Sequence, residues 1–200
     1  MKKTILSLLT ITTLISCNRP EPNYEGVLMT DYGRNGIESF AVVTGAQGPL
    51  GPGSELYQAP MFEQKADVDA VRVSAKDAGI FTVDPTYTYQ VTRTKGPSII
   101  LNYKHLGTGE GFLDNVEANV LDKLAIDAYR EEARNYTTDS LMNNLADFER
   151  SVEEKLKVKF SQKFFTLNTL TSGLTPPASM ADAIEKRNNA IQKANEVRNE

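Results

Sequence analysis

The chain has 200 residues, 40% of them hydrophobic and 24% charged, with 22 basic and 26 acidic side chains. That is an ordinary globular balance, enough for one or two domains, and the net charge of −4 offers no basic face to a nucleic acid. One His, one Cys and no Trp exclude an internal disulfide and a multi-histidine metal site, and with them several enzyme classes.

The N-terminus, "MKKTILSLLTITTLISC", places Lys2 and Lys3 before an apolar run from Ile5 to Ile15. The run is about half of the roughly 20 apolar residues that a spanning helix needs, so it reads as a signal-peptide core. Leu14-Ile15-Ser16-Cys17 resembles the bacterial lipobox, in which a small residue precedes a cysteine that is acylated and becomes the new N-terminus. An ordinary secretory signal or an uncleaved anchor also fits the run. On the lipoprotein reading, residues 1–16 are the signal peptide and 17–23, rich in Pro and polar residues, a short extended tether. Processing there leaves 20 basic against 26 acidic side chains, a net charge of −6.

From Tyr24 to about Tyr103 the chain is rich in strand and turn signals. "YEGVLMTDYG" and "IESFAVVTG" are short β-type runs, and "AQGPLGPGSELYQAP" reads as turns from its glycines and prolines. The clearest strand is "GIFTVDPTYTYQV": Phe81, Val83, Tyr87, Tyr89 and Val91 fall on one face, with Pro85 at an edge or bulge. "SIILNYKHL" is a further strand candidate.

The period then changes. Leu113, Val116, Val120, Leu124 and Ala128 recur at three- and four-residue steps, predicting an amphipathic helix from Phe112 to about Asn135. A second helix opens at "YTTDSL", where Thr137 or Thr138 can cap and Asp139 suits the positive end. Its stripe is Leu141, Leu145, Phe148, Val152, Leu156 and Phe160, and "FFTLNTL" returns to strand. After Gly173 and Pro176-Pro177 a polar helix runs to Glu200. Its stripe is Met180, Ala183, Ile184, Ala190, Ile191, Ala194 and Val197, interrupted by Arg187. So weak a stripe is marginal alone in water. Its small side chains suit close lateral packing against copies of itself, and a solvated tail is the other reading. The expected fold class is α+β, an antiparallel-strand domain with two amphipathic helices and an appended coiled-coil-like helix.

Chemistry finds little support. "HLGTGEGF" has Gly107, Gly109 and Gly111 without the spacing of a dinucleotide loop and without the Lys-Ser or Lys-Thr of a P-loop, so it reads as a flexible connection. His105 has no visible nucleophile partner, and the carboxylates of "REE" and "FERSVEEK" alternate in sign with basic residues, as on a solvated helix face. No catalytic residue, metal or cofactor is expected.

The order of motifs resembles the SPFH or band 7 family of prohibitin, stomatin and flotillin over roughly residues 24–200. Gly26-Val27 match its opening strand; Pro52, Gly53 and Pro60 its Pro-Gly turn and downstream proline. Asp77, Val83, Asp84, Tyr89 and Val91 match its Asp-containing turn and the strand after it. "YTTDSLMNNLADFERSVEEKL" resembles the helix before the last strand. Pro177, Ala183, Ile184, Glu185, Lys186, Ala190, Gln192 and Ala194 match the exit into a coiled coil. Many members carry a Gly-hydrophobic pair before the last strand, where this chain has "QKFF", and many bacterial members use a transmembrane helix in place of a lipid.

The resemblance implies an SPFH domain over 24–175 and the start of a coiled-coil helix over 176–200. It further implies a non-enzymatic scaffold that assembles into rings or cages, confining lipids or regulating a membrane protease. Its partners would be membrane lipid through acylated Cys17, copies of itself or a related SPFH subunit, and a membrane protease. It would sit on a bacterial membrane, on the exported side. The alternative is a monomeric envelope lipoprotein that binds a protein partner.

Overall fold

The computed structural model describes residues 19–109 and 111–177, together with 180, 186, 189, 190 and 193. Among the described residues, three small antiparallel sheets and five α-helices make an α+β fold, as expected. The first sheet has the order β2-β1-β3, from β1 (Tyr24–Met29), β2 (Phe40–Val43) and β3 (Glu55–Pro60). The second has the order β4-β7-β8, from β4 (Gln64–Asp67), β7 (Thr86–Val91) and β8 (Phe165–Thr171). The hairpin of β5 (Val71–Ser74) and β6 (Ile80–Val83) forms the third.

Three expectations are corrected. The stretch read as one strand is two, β6 and β7, in different sheets. The chain bends at Asp84-Pro85, where proline has no N–H to give to a ladder; Pro85 instead accepts from Val68 N at 2.9 Å, and Asp84 N donates to Ser172 O at 3.1 Å. The alternation survives the bend, since Phe81, Val83, Tyr87, Tyr89 and Val91 are all buried. "SIILNYKHL" belongs to a helix, α1 (Gly96–Tyr103), followed by a 3-10 turn over Lys104–Leu106. Pro97 stands in the first helical turn, where its missing N–H costs nothing, and Gly96, Ile99, Ile100 and Tyr103 bury one helical face. The Gly/Pro-rich stretch is turns only in its first part. Its end, with Tyr57 and Ala59 buried in alternation, is β3.

The predicted helix from Phe112 is present but slips. It comprises α2 (Phe112–Val116), a π-turn over Glu117–Leu121, and α3 (Asp122–Ala133). The π-turn inserts a residue, so the buried stripe steps from Val116 to Leu121 and then to Ala125, Ala128 and Tyr129, leaving Val120 and Leu124 only partly buried. The second predicted helix is α4 (Thr138–Asn143) and α5 (Leu145–Gln162). Thr137 is the cap, its hydroxyl accepting from Ser140 N at 3.3 Å.

One continuous core joins residues of all three sheets to α1, α3 and α5. Phe148, Val152, Leu156 and Phe160 of α5 are completely buried. Phe160 meets the ring of Tyr87 edge-on at 5.3 Å, and Tyr89 meets Phe165 likewise at 5.7 Å. Before β8, where many family members have glycine, Phe164 itself takes a left-handed φ of 72°. Its carbonyl accepts from Thr92 N at 3.0 Å, so the turn keeps its shape at some backbone strain.

Candidate functional site

The N-terminal tether does not simply run off the end of the first sheet. Asn23 adopts a positive φ of 65°, and Tyr24 N donates to Glu21 O at 3.1 Å, turning the chain back. Glu21 N then donates to Gln58 Oε1 of β3 at 2.9 Å. Pro20 packs on β1 at Gly26, where an added Cβ would come within 2.4 Å of the proline ring and 2.7 Å of Val43 O. Glycine is required here by close approach rather than by an unusual φ.

Pro20 and Glu21 thus lie against the outer side of the sheet. α1 packs against the inner side, where Val27, Met29, Phe40 and Tyr57 are buried. On the outer side the register makes two cross-strand rows, Ala41–Leu28–Leu56 and Val43–Gly26–Gln58, with the pair Tyr24–Pro60 beyond them. Ala41 is exposed, and Leu28, Val43 and Leu56 are half-buried. Beyond Tyr24, whose ring meets Phe62 edge-on at 5.7 Å, a cleft of about 450 Å³ separates the sheet from the start of α2. Gly109 and Gly111 stand on its far wall, with positive φ values of 90° and 76°. This loop connects two helical segments rather than a strand and a helix. Glu21 and Asp114 in the cleft wall oppose a phosphate.

The polar clusters are mostly structural. His105 is exposed on the turn after α1. On the helices, Arg150–Asp147 at 3.3 Å and Lys157–Glu153 at 2.6 Å are exposed pairs within α5. Lys159–Glu131 at 2.8 Å and Lys155–Glu132 at 2.5 Å join α5 to α3. Glu132 is the buried member: burial opposes its charge, yet Lys155, Ser151 and Asn135 together hold its carboxyl below the usual range. Asp77, in the β5–β6 turn, accepts from both the hydroxyl of Thr138 at 2.6 Å and its backbone N–H at 3.1 Å. These bonds lower its carboxyl pKa and tie the hairpin to α4.

Two core tyrosines reach carboxylates at the π-turn: Tyr87 donates to Asp122 at 2.7 Å and Tyr89 to Glu117 at 3.0 Å. Burial raises both phenols, and burial likewise raises Asp122 and Glu117, against the lowering effect of the tyrosine bonds. Their arrangement fixes the π-turn to β7. Among the described residues no group of three or more His, Cys, Asp or Glu is placed to hold a metal ion.

Cys17 lies outside the described residues, as do Ala183, Ile184, Ile191, Ala194 and Val197 of the proposed assembly stripe. Met180 and Ala190 have helical backbone, and Met180 N donates to Pro177 O at 2.9 Å. The segment leading there is pinned to β6, with Thr82 and Thr175 exchanging backbone bonds of 3.0 and 2.8 Å. Sequence reasoning missed the apolar outer face of the first sheet. A signal was present: "YEGVLM" does not alternate, so both of its faces are largely apolar.

These features sit on a chain whose family is now clear: the model of the SPFH domain / band 7 family matches residues 20–200, and the protein belongs to that family. Its members are, in general, membrane-associated scaffolds without enzymatic activity. No curated protein matches the chain. Among the described residues no helix is long and apolar enough to cross a membrane.

Proposed function

We propose that the protein is a lipid-anchored scaffold, held on the exported side of a bacterial membrane by acylated Cys17 and assembled into rings or cages through its C-terminal helix. The observation that carries the reading is the position of the family domain. It begins at residue 20, three residues after the chain's only cysteine, so a lipid at Cys17 would take the place of a membrane-spanning segment. Two or three acyl chains suffice for durable attachment, at roughly 0.8 kcal/mol per buried methylene. Attachment also raises the local concentration of copies, so that a helix too polar to associate strongly in solution can do so on the membrane. The stripe for that contact is Met180, Ala183, Ile184, Ala190, Ile191, Ala194 and Val197. Assemblies of this kind would organise lipids or restrain a membrane protease.

The anchor is tested by fractionating cells that express the full chain or Cys17→Ala. The expected wild-type product is a membrane-bound chain that begins at residue 17 and carries acyl mass, with the variant lost from the membrane fraction or left unprocessed. A processed variant that stays membrane-bound would overturn the lipid anchor.

A further inference from the structure

α3, α5 and the end of β8 meet around a small pocket that the structural clusters described above do not absorb. It holds about 240 Å³ and is lined by Tyr129 of α3, by Glu149, Arg150 and Glu153 of α5, and by Leu170 and Ser172. Tyr129 is completely buried, and among the described residues its hydroxyl has no hydrogen-bond partner. The hydroxyl end is the part that meets the pocket: burial and the carboxylates of Glu149 and Glu153 raise the phenol, and the nearby Ser172 opposes them. Ser172, however, gives its own proton to Glu149 Oε1. Buried polar groups are nearly always paired, because an unpaired one keeps the full cost of leaving water. An orphan hydroxyl on the wall of a pocket therefore marks the place of a partner from outside the chain.

The rest of the lining gives that partner's chemistry. Glu149 and Glu153 are half-buried and four residues apart, so they share one face of α5, a spacing at which like charges repel. Arg150 pairs with Asp147 at 3.3 Å, both well exposed, and Lys157 reaches Glu153 Oε1 at 2.6 Å. Among the described residues Glu149 has no basic partner. The pocket thus offers carboxylate and phenol oxygens and an excess of negative charge. An anion would be repelled, and a neutral hydroxyl would leave the charge unbalanced. An ammonium carries three N–H donors and no acceptor, which matches the lining.

We propose that the pocket between α3, α5 and β8 binds a primary ammonium group, held by Glu149, Glu153 and the Tyr129 hydroxyl. Its source is a free alkylamine or the lysine side chain of a partner protein. The site needs neither the lipid at Cys17 nor the C-terminal helix.

Thermal unfolding of the full-length protein, purified from membranes in mild detergent, tests this. The probes are n-butylammonium chloride, the methylamide of Nα-acetyl-lysine, and tetramethylammonium chloride at equal ionic strength, the last having the charge without an N–H. At saturation at least one primary amine should raise Tm by roughly 3 °C or more, and tetramethylammonium should not. Response to butylammonium alone assigns the site to a free amine, and response to the lysine derivative assigns it to a protein side chain. Glu149→Gln keeps an acceptor for Ser172 but replaces a charged bond by a neutral one, so the rise should fall by about half or more. Tyr129→Phe deletes an unpaired hydroxyl, so it should melt no lower than the wild type without amine and should respond less to it. A rise shared by tetramethylammonium, no rise at all, or equal rises in both variants would overturn the site. A Tyr129→Phe protein that melts well below the wild type without amine would mean that water already satisfies the hydroxyl, which overturns it too.

Discussion

In the β4-β7-β8 sheet the side turned away from the helices carries Thr86, Thr88 and Gln90 of β7, with Thr166 and Thr169 of β8 beside them. Thr88 and Thr169 share a hydrogen bond of 2.8 Å between their hydroxyls, and Thr86 donates to Asp67 at 3.0 Å. In the β2-β1-β3 sheet the corresponding side carries Leu28, Ala41, Val43 and Leu56. Both sheets are antiparallel and three-stranded, and both pack a helix on their inner side. The two outer sides thus differ in composition, hydroxyl-bearing and hydrogen-bonded on one and largely apolar on the other.

The comparison can be broken first by stability. Phe160→Ala removes a completely buried ring from the inner side of the second sheet and should cost about 3–5 kcal/mol in urea denaturation. Leu28→Ala on the outer side of the first should cost less, about 1–2 kcal/mol, because its side chain is only partly buried. Similar losses for the two would mean that Leu28 is already in a protein core.

A smaller effect separates the same regions by pH. Asp77 and Glu132 have lowered carboxyl pKa values, so what they contribute is present above the unfolded value of about 4 and is lost as pH falls through their folded values. Asp122 and Glu117 have raised values, with the opposite sign: their contribution is complete below about 4 and is lost as pH rises through the folded values. Acidification below about 4, through these folded values, should therefore weaken hydrogen-exchange protection first where Asp77 meets α4 and where α3 meets α5. The contact of β7 with the π-turn should hold, and an opening that begins at β7 would contradict the assignment. The first sheet's outer face has no titratable group in its rows and should not respond.

Much of this architecture was legible in the sequence, for reasons of period. The odd-numbered stripe from Phe81 to Val91 is buried throughout, and the α5 stripe from Phe148 to Phe160 is buried as spaced. The failures also have local causes. Ile99-Ile100 fits a strand or a helix equally, and only Pro97 and Tyr103 favour the helix. The π-turn after Val116 leaves no mark in the spacing of a sequence that has apolar residues at both Val120 and Leu121. Long-range pairs such as Asp77 with Thr138, 61 residues apart, depend on the finished fold. So does the outer face, since Ala41, Leu28 and Leu56 become neighbours only through strand register. The family motifs, by contrast, are locally readable. Gly53 has a positive φ of 79° and an added Cβ there would lie 2.6 Å from the Tyr32 ring, which accounts for the glycine in the Pro-Gly turn.

The scaffold reading stands or falls on assembly, and native mass tests it most directly. Light scattering of the membrane-extracted protein in mild detergent is to be compared with a variant truncated after Pro177. The account predicts a large, discrete assembly for the full chain and its collapse on truncation. A monomer in both cases would contradict it, and would leave an SPFH lipoprotein that works through a different partner.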